Sequence, residues 1–178
     1  MKKNILTSII LLCTLAVQAQ CYVGGTLHVS AETNKADGSS ATNSVYGISP
    51  EFGYNINKMW AVGLTAGVEY AVNGGGGDDI TTWGLSPYVR ATFAQAGHVK
   101  FFAEGALGYG KVEVADFDTD VWSIGILPGI LVDLSRKVQL VGRTVLFRYG
   151  ESGDSPYKVK QTGFSLGNNL EVGILFNL

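Results

Sequence analysis

Three features of the sequence predict an all-β fold, an eight-stranded antiparallel up-and-down transmembrane barrel preceded by a cleavable signal peptide. Apolar residues alternate with small or polar ones in segment after segment, no stretch past the leader is apolar for long enough to be a membrane helix, and large aromatics sit at both ends of the apolar faces. The alternation is cleanest from Trp60 to Val72. There Trp60, Val62, Leu64, Ala66, Val68, Tyr70 and Val72 share one face and Ala61, Gly63, Thr65, Gly67, Glu69 and Ala71 the other.

The chain of 178 residues suits one domain after its leader is removed. Met1, Lys2 and Lys3 precede an apolar run from Ile5 to Val17, and Val17-Gln18-Ala19 has the small residues a signal peptidase reads. The expected division is therefore a signal peptide at 1–19 and a barrel domain at 20–178. Cys13 leaves with the leader, so Cys21 remains alone and no internal disulfide is expected. Gln18-Ala19-Gln20 does not match a lipobox. Removing Lys2 and Lys3 from 13 basic residues leaves 11 against 15 acidic ones, a balance that argues against nucleic acid as a partner.

The strands follow in order. The first, Tyr22 to Glu32, sends Val23, Leu27, Val29 and Ala31 one way and Tyr22, Thr26, His28, Ser30 and Glu32 the other, and a polar loop is expected from Thr33 to Asn43. The second sets Tyr46, Ile48, Pro50, Phe52 and Tyr54 against Gly47, Ser49, Glu51, Gly53 and Asn55, then turns at Asn57-Lys58 into the third, Trp60 to Val72. After a glycine loop, Asn73 to Asp79, the fourth opposes Trp83, Leu85, Pro87, Val89, Ala91 and Phe93 to Gly84, Ser86, Tyr88, Arg90 and Thr92, and turns at Ala96-Gly97.

The fifth puts Val99, Phe101, Ala103, Leu107 and Tyr109 outward and Lys100, Phe102, Glu104, Ala106 and Gly108 inward, with an acidic loop expected at Asp116 to Asp120. The sixth shows Trp122, Ile124, Ile126, Pro128, Ile130, Val132 and Leu134 on one face and turns at Arg136-Lys137. In the seventh, Val138 to Tyr149, both phases carry apolar residues. Arg143 is placed inward, because a charge facing lipid at mid-depth costs about 2 to 4 kcal/mol, which leaves Arg148 outward near the rim. A loop from Gly150 to Lys160 leads to the last strand, where Phe164, Leu166, Leu170, Val172, Ile174, Phe176 and Leu178 oppose Gly163, Ser165, Gly167, Glu171 and Gly173. Pro50 and Pro128 lie inside strands, where a local bulge is the expected accommodation.

The apolar phase is assigned to lipid. A soluble barrel would show water a face rich in Lys, Glu, Asp and Gln, whereas the second face here is mostly Gly, Ala, Ser and Thr with single charges. Two aromatic girdles follow: Tyr46, Tyr70, Trp83, Tyr109 and Trp122 at the long-loop end, and Tyr54, Trp60, Phe93, Phe101 and Phe176 at the short-turn end. From Trp60 to Tyr70 the chain rises about 25 Å at a tilt near 40°, the height of an outer-membrane apolar band. An even strand number puts both termini and the three short turns in the periplasm. Charge follows the same division, with Asp37, Asp78, Asp79, Asp116, Asp118, Asp120, Glu151 and Asp154 beside long loops and Lys58, His98, Lys100, Arg136 and Lys137 at short turns.

Glu51, Arg90, Glu104, Arg143 and Glu171 lie on inward phases at comparable distances from the short turns, so they are expected to meet in the lumen as a salt-bridge plug. Gly63 and Gly67 are expected to make room for them. No catalytic set is expected: a hydrolase needs Ser, His and a carboxylate together, and His28 and His98 are the only histidines. Asp116-x-Asp118-x-Asp120 lacks the glycine and closing Glu of a calcium loop, and Asn73 to Asp78 lacks the Lys-Ser/Thr of a phosphate loop. No cofactor or resident metal is expected, though cations bridging these acids to lipopolysaccharide phosphates remain open.

Pro50-Glu51-Phe52-Gly53-Tyr54, Ser86-Pro87-Tyr88-Val89-Arg90, Ala103 to Gly110 and Leu127-Pro128-Gly129-Ile130 together resemble the small bacterial outer-membrane β-barrel family that includes the OmpX and OmpA transmembrane barrels. The resemblance covers the mature chain and implies a monomer inserted by the barrel assembly machinery among outer-membrane lipid and lipopolysaccharide. The ending Phe176-Asn177-Leu178 departs from the terminal Phe of many such barrels. An envelope-integrity role or surface-loop interaction of the adhesion type is the first expectation. A narrow channel or carrier, as in OmpW-like barrels, is the second, and a lipid-A-modifying enzyme the third.

Overall fold

Strands of this length with one apolar face cannot leave their backbone groups unpaired beside hydrocarbon, and a ring is the arrangement with no free edge. The computed structural model describes residues 20–36, 39–73, 79–114, 117–152, 159–164 and 170–178. The expected leader at 1–19, Asp37, Asp78, Asp116, Asp154 and the stretch 165–169 lie outside them. The strands are β1 (Cys21–Ala36), β2 (Ser39–Asn55), β3 (Trp60–Asn73), β4 (Ile80–Ala96), β5 (Val99–Val114) and β6 (Phe117–Asp133). β7 comes in two parts, Val138–Thr144 and Phe147–Ser152, and β8 likewise, Val159–Phe164 and Leu170–Asn177. Each pairs antiparallel with the next, and β8 returns to β1 through Tyr22↔Asn177 to His28↔Glu171, closing an eight-stranded barrel.

The short turns are built by local polar groups. Asn57 Oδ1 accepts hydrogen bonds from the amides of Met59 (2.8 Å) and Trp60 (2.9 Å), and Ser135 Oγ accepts from Lys137 and Val138. The third turn, Gly97-His98, needs a left-handed residue and has Gly97 at φ 59°. At the same end Leu178 N donates to Cys21 O, tying the last residue to the first strand.

At the other end the sheet continues where loops are expected. β1 and β2 stay paired up to Ala36↔Ser39, and β5 and β6 up to Val114↔Phe117, so much of 33–43 and 117–120 is strand, as are both flanks of 150–160. Polar sequence without alternation reads as loop, yet outside the membrane a hairpin can go on pairing with both faces wet. β5, with 16 residues, rises about 40 Å at a tilt near 40°. Roughly 15 Å of paired sheet therefore stands beyond an apolar band about 25 Å tall.

The prolines are accommodated differently from one another. Around Pro50 there is no bulge: Ile48↔Val68 and Glu51↔Thr65 are in one register, and only the rungs at Ser49 and Pro50 are missing from the β2–β3 ladder. Beside Pro128 the neighbouring strand bulges. Gly129 pairs with Arg143 and Ile126 with Phe147, leaving Leu127 and Pro128 opposite Thr144, Val145 and Leu146. That extra residue reverses the phase of β7 above it. Arg148 consequently pairs with inward Gly125 and lines the lumen, against the expectation that it faces outward, while Tyr149 pairs with outward Ile124. A second bulge at Phe93, between Thr92↔Phe102 and Ala94↔Phe101, leaves that ring on the outer wall.

Candidate functional site

The outward phases carry exposed Leu27, Ile48, Leu64, Val68, Leu85, Leu107, Ile126 and Val172, an apolar belt that water would not tolerate but lipid does. At its long-loop edge lie exposed Tyr46, Tyr70, Trp83, Tyr109 and Trp122, and at its short-turn edge exposed Trp60, Phe93, Phe101 and Phe176 with half-buried Tyr54. Tyr149 joins the upper edge, its ring 5.5 Å from that of Trp122 and edge-on to it. Polar ends of the upper ring reach acids: Tyr70 Oη donates to Asp79 (2.5 Å) and Trp83 Nε1 to Glu113 (3.0 Å). Asp118 and Asp120, expected in a loop, are strand residues flanking Lys111 at 2.8 and 3.9 Å. The Lys111 ammonium, hydrogen-bonded to Asp118, holds that carboxyl below its ordinary range.

Inside, the five charges from five strands are brought together. Arg90 on β4 contacts Glu51 of β2 at 2.7 Å and Glu104 of β5 at 2.6 Å. Arg143 on β7 contacts the same two carboxylates at 3.0 and 3.1 Å, so Glu51, Arg90, Glu104 and Arg143 form a closed ring of alternating charge. Glu171 attaches to it through Arg143 Nε at 2.7 Å. The four ring members are all less than 5% exposed. Burial of this depth is tolerable only because the oxygens and guanidinium hydrogens find partners. Tyr88 Oη donates to Glu51 (2.6 Å), Tyr22 and Tyr88 share a hydrogen bond at 2.6 Å, and Thr26 Oγ1 donates to Glu171 (3.1 Å).

Three aromatic rings complete the plug, and the sequence reading gave none of them a role. The Arg90 guanidinium lies 4.8 Å from the Phe102 ring centre and 5.3 Å from those of Tyr22 and Tyr88. Below it Tyr22, Ala61, Phe102, Leu131, Val141 and Leu175 pack as the buried apolar cluster. Glycines seat these rings: a Cβ on Gly53 would strike Tyr22, one on Gly63 would strike Tyr88, and one on Gly129 would strike Phe102. Gly63 thus makes room for a phenol rather than for a charge. The signal for these residues was present as bulk on an otherwise small inward phase.

The plug divides the lumen. A cavity of about 260 Å³ opens at the long-loop end above Tyr88, Glu104 and Arg143, and one of about 540 Å³ opens at the short-turn end below Arg90, beside Lys58, Arg136 and Lys137. His28 borders the upper cavity, while His98 sits in a short turn at the opposite end.

No protein-family model and no curated protein sequence matches the chain. Solved structures do. The crystal structure of Neisserial surface protein A is similar over 90% of this chain and 98% of its own, with TM-score 0.59 and 16% identity. The E. coli outer membrane protein W covers 89% and 97% at TM-score 0.54 and 12% identity, and outer membrane protein H (OprH) of P. aeruginosa 89% and 99% at TM-score 0.53 and 16% identity. At such identities the likeness is one of architecture, and the architecture is that of the small eight-stranded bacterial outer-membrane barrels.

Proposed function

We propose that the chain is a non-catalytic integral outer-membrane barrel with a closed lumen, whose role is envelope integrity or interaction, of the adhesion type, through the sheet that projects beyond the lipid. The carrying observation is the buried ring Glu51–Arg90–Glu104–Arg143, with the apolar cluster of Tyr22, Phe102 and Leu175 beneath it, lying between the two cavities. In this reading the termini and short turns face the periplasm, the protein acts as a monomer among phospholipid and lipopolysaccharide, and assembly machinery recognises β8.

A narrow channel is the second reading, favoured by one observation: cavities approach the plug from both sides, with Arg143 lining the upper one and Arg90 the lower. Conductance of the full chain in planar bilayers decides between them. The closed reading expects no steady current, and steady openings in the natural protein that change on Arg143→Ala would overturn it. Migration on a detergent gel must shift between unheated and boiled samples if the barrel is formed.

A further inference from the structure

The upper cavity holds two charges that the plug does not use. Glu69 on β3 and Arg148 on β7 both line it, and neither makes a hydrogen bond or ion pair among the described residues. Their relation follows from strand register. From Glu69 the ladder leads one way through Gly47, His28 and Glu171 to Arg143 on β7. The other way it leads through Thr82 and Val112 to Thr119, two residues above the Val121↔Ser152 pair. In a tilted ring these two paths reach β7 below and above the starting level, and Arg148 lies about midway between them. Glu69 and Arg148 therefore face each other across the lumen at one height, four strands apart.

Between them the wall is small and hydroxylated, with Ser49, Thr65, Thr82, Ser86 and Ser123 lining the cavity. Glycine keeps it open: a Cβ on Gly108 would lie 2.6 Å from Ser123 Oγ, and one on Gly67 would lie 3.4 Å from Ser49 Oγ. Two opposite charges on facing walls, held apart and solvated above a closed floor, are complementary to a molecule carrying both signs.

We propose that this cavity binds a small zwitterion, its cationic group on the Glu69 carboxylate and its anionic group on the Arg148 guanidinium, with the serine and threonine hydroxyls serving any polar atoms between. Glu104 and Glu171, which also line the cavity, are held by Arg143, and the one carboxylate left, Glu69, is too few ligands for a divalent cation. A simple anion would engage Arg148 and leave Glu69 unused, and an uncharged polyol would engage neither charge as such. The site does not depend on whether the lumen conducts, because it lies wholly on one side of the plug.

The test uses the full chain folded in an uncharged glycoside detergent and saturation-transfer NMR with γ-aminobutyrate, against butyrate and n-butylammonium as single-charge controls. Saturable transfer to γ-aminobutyrate is expected, with each control weaker by about tenfold or more, the scale of one charge-assisted hydrogen bond. Glu69→Gln and Arg148→Gln should each weaken the zwitterion to the level of the controls, and the exchanged pair Glu69→Arg with Arg148→Glu should restore binding. Equal transfer to all three probes, no saturable transfer to any, or variants that bind as the natural protein does would each overturn the proposal. If a variant fails to show the folded band on an unheated gel, the three-probe comparison on the natural protein still decides.

Discussion

Arg143→Ala probes the plug where its connections are densest. Arg143 donates to Glu171 (2.7 Å), Glu51 (3.0 Å) and Glu104 (3.1 Å), and its Nη2 lies 3.4 Å from Thr26 Oγ1. Its removal leaves three carboxylates around one guanidinium, so the net charge of the group falls from −1 to −2. Breaking a buried ion pair by deleting one partner costs about 3–5 kcal/mol, mostly from the charges left behind. Here Arg90 still serves Glu51 and Glu104, and Glu171 is 19% exposed, so a loss near the lower end, about 3 kcal/mol, is expected. Urea unfolding from phospholipid vesicles, followed by tryptophan fluorescence and by the unheated gel band, measures it. Pairing Arg143→Ala with Glu104→Gln returns the group to −1, and the double variant should recover about 1–2 kcal/mol relative to the sum of the singles. A loss below about 1 kcal/mol for Arg143→Ala, or strict additivity in the cycle, would refute the view that these charges act as one buried unit.

Phe102→Ala removes a fully buried ring between the guanidinium of Arg90 and the apolar cluster, and should cost about 3–5 kcal/mol in the same unfolding assay. Because that ring lies between the two cavities, the closed reading expects the variant to pass more current in planar bilayers than the natural protein does. Gly63→Ala places a methyl against the Tyr88 phenol, which must move off Glu51, and a loss of about 1–3 kcal/mol is expected by chemical unfolding. Leu64→Arg, on the outer wall at the middle of the belt, should cost about 2–4 kcal/mol in vesicles, whereas Tyr109→Arg at the belt's edge should cost about 0–1 kcal/mol. Equal costs at the two positions would remove the argument that the belt faces lipid.

Period-two alternation determined by itself which residues of β1 to β6 face the lumen, as far as the Phe93 bulge in β4, since in an unbroken strand side-chain phase is a local property. That is why Glu51, Arg90 and Glu104, with Glu171 on the equally regular last strand, could be named from their phases and their distances from the turns, whereas Arg143 was placed inward by the cost of a charge facing lipid, since both phases of its strand are apolar. The pairing of Glu51 and Glu104 with both arginines was not legible, because it joins β2, β4, β5 and β7 across the barrel and depends on strand tilt and register. Nor was the orientation of Arg148. One extra residue opposite Pro128 reverses every side chain beyond it, and only the partner strand reveals the extra residue. The projecting sheet was hidden for a related reason: with water on both sides, backbone pairing alone sustains the strand and leaves no pattern in the side chains. Phase, girdles and inward charge were thus written along the chain, while the closed ring, the aromatic floor beneath it and the facing pair Glu69 and Arg148 exist only once eight strands are placed in register around a common axis.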